Sequence, residues 1–421
     1  MSEFNPLAAF PVGTAERVAQ RPAGGPGGAA LENNANNFSH AQSQLDLKWN
    51  KLEYLRRESA MKRQRLCLII AHSDRVGVRQ NFTSVGLVGL QTCGSRLCPV
   101  CGPRIAANNR QDVIQAVRAW REGEGGSVLF GTFTVRHHLG QSFDETKAAV
   151  SAGWHKVTAG NGWVSNRRNH GVEHWLRVFE EKWSPSSGWH LHVHYLVFIT
   201  ARVPGEVRPT ADALLLSMFG RWRAGVLTIP GMGTPVIDGQ DLHEVTGENA
   251  EQVLGEYFTK QLDTNELKTA EKIGFELTNR DGKFTRESLA AGSFTPGEIL
   301  TLAYCGDDHA RLLWNEYERG MKKRRVIAWS KGLRARVGIG DEISDQAAAL
   351  LEGAELMATV LEMRSVHWRK VASKPGRRLE LMSRVHRDGA ASALNWLTDI
   401  GVPAVLGTFD TQGEETDGQS I

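Results

Sequence analysis

The stretch Trp189-His190-Leu191-His192-Val193-His194-Tyr195-Leu196-Val197-Phe198 alternates histidine with apolar residues and runs on into Ile199. In a β-strand successive side chains point to opposite faces. His190, His192 and His194 therefore share one face, while Leu191, Val193 and Tyr195 pack on the other. Neutral imidazole is the commonest protein metal ligand, so three on one rigid strand make a ready metal site. Crowded imidazoles need a cation or hydrogen bonds to compensate them. The pattern names neither the metal nor the reaction, because His-x-His strands occur in unrelated hydrolases and other metal enzymes.

Around this run, periodicity predicts strands at Val128–Val135, Val172–Glu180, His190–Ile199 and Pro235–Val245. Helices are predicted at Thr146–Lys156, Ala211–Trp222 and Ala250–Leu262. The order β-α-β-β-α-β-α fits an α+β layer, an antiparallel sheet with helices on one face.

Upstream, Cys93-x4-Cys98-Pro99-Val100-Cys101 has the close cysteine spacing of a knuckle that wraps tetrahedral zinc. Cys67 is the expected fourth ligand and His72 its substitute. Cys305 is left over and reads as a core residue. A reducing cytoplasm disfavours disulfides, and a third cysteine at fixed spacing speaks for a structural zinc over a redox pair.

The 421 residues, 41% hydrophobic and 23% charged, suit a soluble protein of more than one domain. No apolar stretch approaches the roughly 20 residues that span a bilayer, and Met1 to Gln20 lacks the pattern of a signal peptide. A cytoplasmic protein with no membrane partner is expected. The division is a disordered tail over 1–45, a zinc-binding segment over 46–120, a central domain over 121–265, a mainly helical region over 266–407 and a disordered acidic tail over 408–421.

A net charge of +3 does not by itself argue for nucleic acid, but its distribution does. Lys322, Lys323, Arg324, Arg325, Lys331, Arg334 and Arg336 cluster around Trp329, and Arg369, Lys370, Lys374, Arg377 and Arg378 beside Trp368. Cations interleaved with aromatics suit phosphate contacts and base stacking; a solvated helix face is the alternative. In the C-terminal half of the central domain, Tyr257 and Lys260 lie three apart on the predicted helix and share its face. An ammonium beside a phenol favours the phenolate.

Thr132-x-Thr134, the His-x-His strand and the later Tyr-x-x-Lys helix occur in that order. Together they resemble the three motifs of the HUH endonucleases, specifically the plasmid rolling-circle replication initiators. Gly86-Leu87 followed by Thr92-Cys93-Gly94-Ser95-Arg96-Leu97-Cys98-Pro99-Val100-Cys101 resembles the cysteine segment of the actinobacterial branch. Ala328-Trp329-Ser330-Lys331-Gly332-Leu333-Arg334 resembles a signature downstream of that branch's tyrosine.

The resemblance covers roughly residues 60 to 350 and implies a ferredoxin- or RRM-like nuclease palm with a zinc segment before it. It implies His192 and His194 as metal ligands, His190 as an accessory position, Glu180 as an acidic ligand, Tyr257 as nucleophile and Lys260 as its helper. Mg²⁺ or Mn²⁺ would serve catalysis and Zn²⁺ the structure. Origin DNA, a host helicase and a host DNA polymerase are the implied partners. The alternatives are an HUH relaxase or transposase, and a zinc-dependent DNA-binding regulator without nuclease activity. Relaxases carry their tyrosine before the histidines, where this chain has only Tyr54, in a basic stretch expected to be exposed. The glutamate that some relatives place one turn before the tyrosine is here Val253, with Glu251 and Glu256 nearby.

Overall fold

The computed structural model describes residues 45–81, 84–123, 126–200, 207–245, 293–322, 327–349 and 357–407. The expected helix at Ala250–Leu262, with Tyr257 and Lys260, lies outside them, as do Lys323, Arg324, Arg325 and nearly all of the two expected tails.

The chain enters through helix α1 (45–58) and the short α2 (Lys62–Arg65). A hairpin follows, β1 (Arg75–Gln80) and β2 (Val85–Val88), and then the long helix α3 (Cys101–Gly123). Val113, Val117 and Trp120 recur at helical spacing along α3 and are fully buried. Tyr54 on α1 is buried too, which corrects its expected exposure: the apolar face of α1 carries it into the core.

Next come β3 (Ser127–Thr134), α4 (Phe143–Thr158), α5 (Gly160–His170), β4 (Val172–Ser184), β5 (Gly188–Ile199), α6 (Val207–Val226) and β6 (Asp241–Glu244). The predicted strand from Pro235 is shorter, because a 3₁₀ turn occupies Ile237–Gly239. α4 begins before the predicted Thr146, because Ser142 and Glu145 form a capping box that satisfies the free N–H groups of its first turn.

The remainder contains α7 (Pro296–Tyr304), α8 (Asp308–Gly320), β7 (Ile327–Trp329), α9 (Leu333–Arg336), α10 (Asp345–Ala348), β8 (Ala358–Arg364), α11 (Ser365–Ala372), α12 (Arg377–Asp399) and β9 (Val405–Leu406). Cys305, at the end of α7, is exposed rather than a core residue. It sits at the helix cap, past the apolar stripe that α7 buries.

These elements form an α+β fold with two antiparallel sheets. The first has the order β6-β3-β5-β4-β7, with the histidine strand at its centre. The second has the order β2-β1-β8-β9 and joins the two ends of the chain. Each sheet carries its own buried core. No helix among the described residues is long and apolar enough to cross a membrane.

In the first sheet, β4 and β5 meet in a tight hairpin. The Ser184 hydroxyl accepts a hydrogen bond from the Ser187 N–H at 3.1 Å. Gly188 turns the chain with φ +77°, and a Cβ there would stand 3.1 Å from the Leu139 backbone. This turn sets the register that pairs Glu180 with His192 and Val178 with His194.

On the apolar face Phe133 stacks between Tyr195 and Trp222 at 4.8 and 4.9 Å, and Trp154 meets Tyr195 at 5.3 Å. Helices α4 and α6 cover this face. α3 reaches the opposite face, where Trp120 packs on Phe198 at 5.4 Å and donates to the Ile199 carbonyl at 3.1 Å. Helices therefore lie on both faces of the sheet.

α4 and α6 cross through glycines. A Cβ on Gly225 would lie 2.6 Å from the Ala152 carbonyl oxygen, whereas Gly220 on the same helix faces open space. Gly225→Ala is expected to cost about 1–3 kcal/mol through forced separation of the helices. Gly220→Ala should be neutral or stabilising by up to about 1 kcal/mol. Thermal melting of the two variants checks this pair of opposite outcomes.

Candidate metal centres

Two groups of metal-ligating side chains converge among the described residues: Cys67, Cys93, Cys98 and Cys101, and Glu180, His192 and His194.

The cysteine group is assembled from three turns. Cys67 follows α2, Cys93 follows β2 beside Gly94 with φ +57°, and Cys98 lies in the turn that leads into Cys101, the first residue of α3. The sulfurs of Cys67 and Cys101, Cys93 and Cys101, and Cys67 and Cys98 are each 3.6 Å apart. Four sulfurs about 2.3 Å from a tetrahedral ion stand roughly 3.8 Å from one another. The spacing fits zinc, and all four residues are buried.

Hydrogen bonds from Cys67, Cys93 and Cys98 drive the Cys101 thiol far below its usual range. Hydrogen bonding with Cys101 raises Cys93, and burial foremost raises Cys98. Four buried sulfurs packed this closely suit a cation held among them. Arg378, 1% exposed, donates to the backbone oxygens of Cys67 at 2.8 Å and Leu68 at 3.2 Å and to Glu53 at 2.8 Å, pinning the first knuckle to α12. His72 is exposed and outside the group.

The second group lies on the histidine face of the central sheet. His194 Nε2 is 2.7 Å from Glu180 Oε2, and His192 Nε2 is 3.6 Å from the same oxygen. Thr132 on β3 pairs with His194, and its hydroxyl lies 3.0 Å from His194 Nδ1. A hydroxyl both donates and accepts, so Thr132 can hold His194 in the tautomer that a metal on Nε2 demands.

The Nδ1 of buried His192 has no partner among the described residues. Burial foremost, then the neighbouring His194, His190 and Lys182 charges against an opposing Glu180, lowers His192 to about 3. Its lone pair is thus available at neutral pH without loss of a proton. Burial opposes ionisation of Glu180, yet the His194 hydrogen bond and the His192, His194 and Lys182 charges hold its carboxyl well below the usual carboxylate range. Two imidazoles and one carboxylate fit a divalent cation, and suit Mn²⁺ better than Mg²⁺, which prefers oxygen.

His190 shares the face, its ring 4.4 Å from that of His192, but a different histidine holds it. Its Nδ1 is 2.7 Å from His137 Nε2, and His137 Nδ1 is 2.8 Å from the Ser187 carbonyl oxygen. A carbonyl only accepts, so His137 donates there and, when neutral, receives the His190 proton at Nε2. His190 is outside the converging group, and Glu180 stands in the third position.

The basic residues divide. Lys322 and Lys331 are exposed. Arg334 is held by Asp112 at 2.8 Å and stacks over Trp329, which belongs to edge strand β7. The motif from Ala328 to Arg334 therefore closes the sheet: Ser330 Oγ accepts from the Trp175 N–H at 3.0 Å. In the second cluster Trp368 and Arg378 are buried. Sequence reasoning missed Lys182 and His137, because neither falls in a recognisable motif. Strand parity alone could have placed Lys182 on the histidine face.

Thr132→Val is expected to weaken Mn²⁺ binding by about 10-fold or more, by freeing the His194 ring. Titration calorimetry checks it, with His194→Ala as the limiting loss. Cys98→Ser should release zinc and cost at least several kcal/mol of stability; metal analysis and melting test both parts.

Residues 85–203 match the family model described as replication protein. They include Cys93, Cys98, Cys101, Glu180 and the histidine strand. The chain is similar to the protein named Protein rep of Streptomyces lividans, 28% identical over 337 residues, covering 66% of this chain and 72% of that one. It is also similar to a protein of Streptomyces cyanogenus named Neomycin resistance protein, 27% identical over 187 residues, 35% of this chain and 42% of that one. No solved structure matches. The match to the replication-protein model thus runs from β2 to beyond β5 and takes in the strand that bears the histidines.

Proposed function

We propose that the chain initiates rolling-circle replication by nicking and rejoining one strand at the plasmid origin. One observation carries the reading: Glu180, His192 and His194 form a divalent-metal donor set on the polar face of an antiparallel sheet, inside a replication-protein domain.

A cation held there would offset the charge that builds on a non-bridging phosphate oxygen. Glu180, His192 and His194 would hold it, and Thr132 would fix the His194 ring. In this reading Tyr257 Oη attacks phosphorus in line. The Oη–P bond forms, the P–O3′ bond breaks, the phenolic proton leaves, and the departing O3′ gains a proton. The products are a 5′-phosphotyrosine and a free 3′-hydroxyl that primes synthesis. The ester conserves the bond energy, so a later 3′-hydroxyl can displace Tyr257 and rejoin the strand. Lys260 would favour the phenolate. With Val253 where some relatives have glutamate, the second cleavage draws its activating group from elsewhere.

Origin DNA is the partner, with a single-stranded or hairpin nick site, and exposed Lys322, Lys331 and neighbouring cations would contact its phosphates. A host helicase and polymerase would follow. A relaxase-like use of Tyr54 is disfavoured, since that ring is buried in the core and burial raises its hydroxyl. A purely DNA-binding regulator would leave the donor set without a task.

Supercoiled plasmid carrying the chain's own origin, incubated with protein and Mn²⁺, should yield relaxed circles with protein on a 5′ end. Tyr257→Phe should abolish the adduct and leave DNA binding intact, and His192→Ala with His194→Ala should abolish metal-stimulated nicking. Origin binding without any nicking would support the regulator instead.

A further inference from the structure

We propose that Lys182 is a second cation of the reaction centre, binding the scissile phosphodiester beside the metal. This deepens the nicking reading and rests on it.

Lys182 on β4 pairs in register with His190 on β5, so its side chain leaves the sheet on the histidine face. Its ammonium is 3.1 Å from Glu180 Oε1. The other oxygen of that carboxylate, Oε2, is the one that faces His194 and His192. A single carboxylate therefore separates the ammonium from the metal donors. The two non-bridging oxygens of a phosphodiester are spaced much like the two oxygens of a carboxylate. A diester with one oxygen on the metal can thus place the other on Lys182, in the way that Glu180 already spans the two.

The ammonium has three donors and its side chain is 26% exposed, so it is within reach of a ligand. Glu298 of α7 also faces it electrostatically, but one Glu298 oxygen is committed to the Thr295 cap at 2.7 and 2.9 Å. Charge points the same way. The donor set holds one carboxylate, so a divalent cation and Lys182 leave the centre positive, which matches a diester gaining negative charge under attack. Lys182 transfers no proton in this role. It acts as a fixed charge.

Wild type, Lys182→Met and Lys182→Arg should be compared by Mn²⁺ calorimetry without DNA, by binding of the metal-free protein to a single-stranded origin oligonucleotide, and by single-turnover adduct formation. For Lys182→Met we expect Mn²⁺ binding no weaker than wild type, because a like charge is removed. Oligonucleotide binding should weaken several-fold and adduct formation slow by about 10- to 100-fold, beyond rescue by excess Mn²⁺. Lys182→Arg should restore most of the rate, and unchanged zinc content and melting serve as folding controls. If the methionine variant melts early, Lys182→Gln replaces it. An unchanged adduct rate overturns the proposal. So does Mn²⁺ binding that falls in step with the rate and is rescued by excess metal, since Lys182 would then only prop Glu180. No adduct from wild type overturns the nicking reading itself.

Discussion

The registration of β4 against β5 is the constraint on which the centre depends. Side chains alternate along a strand, so slipping the pair by one residue would send Glu180 to the apolar face and leave the imidazoles without a carboxylate. Three features hold the register: the Ser184 to Gly188 turn, the apolar stack of Phe133, Tyr195 and Trp222, and β3 on the far side of β5. The third also delivers Thr132 to His194. The same hydrogen-bonded ladder thus builds the core and spaces the ligands. The site is carried on strands and not on loops, and rigid elements hold donor geometry more tightly.

The cysteine group obeys a different logic. Its ligands come from turns and the start of α3, set within the second buried core, and long-range contacts hold them. Arg378 ties the Cys67 turn to α12, and the Trp368 indole donates to the Ile69 carbonyl at 3.0 Å. α3 starts at Cys101 and ends against the central sheet, a rod about 34 Å long at 1.5 Å per residue. One helix thus carries both a ligand of the cysteine group and a packing contact of the strand that bears the histidines.

Much of this was legible in the residues. Period-two alternation gave β3, β4 and β5 and put the three histidines on one face, and the cysteine spacing gave the knuckle with Cys67 as its fourth member. That His190 pairs with His137 while Glu180 meets His192 and His194 was not legible, since His137 stands fifty-three positions from its partner His190. The fate of Trp329 and Arg334 was equally hidden. A cation next to an aromatic reads the same whether it meets phosphate or closes a sheet edge against Asp112. The second sheet was missed outright: Arg75 and Glu362 pair across 287 positions, and no local pattern announces such a partner.

That second sheet has a consequence for how the chain is made. β1 and β2 precede their partner β8 by every strand of the first sheet, so β8 is synthesised only after all of those strands. Until then one edge of β1 has no strand beside it and the Cys67 turn lacks Arg378. The late segment from β8 to α12 thus closes the β1 edge and pins the Cys67 turn, so its loss would leave an open strand edge next to the cysteine group.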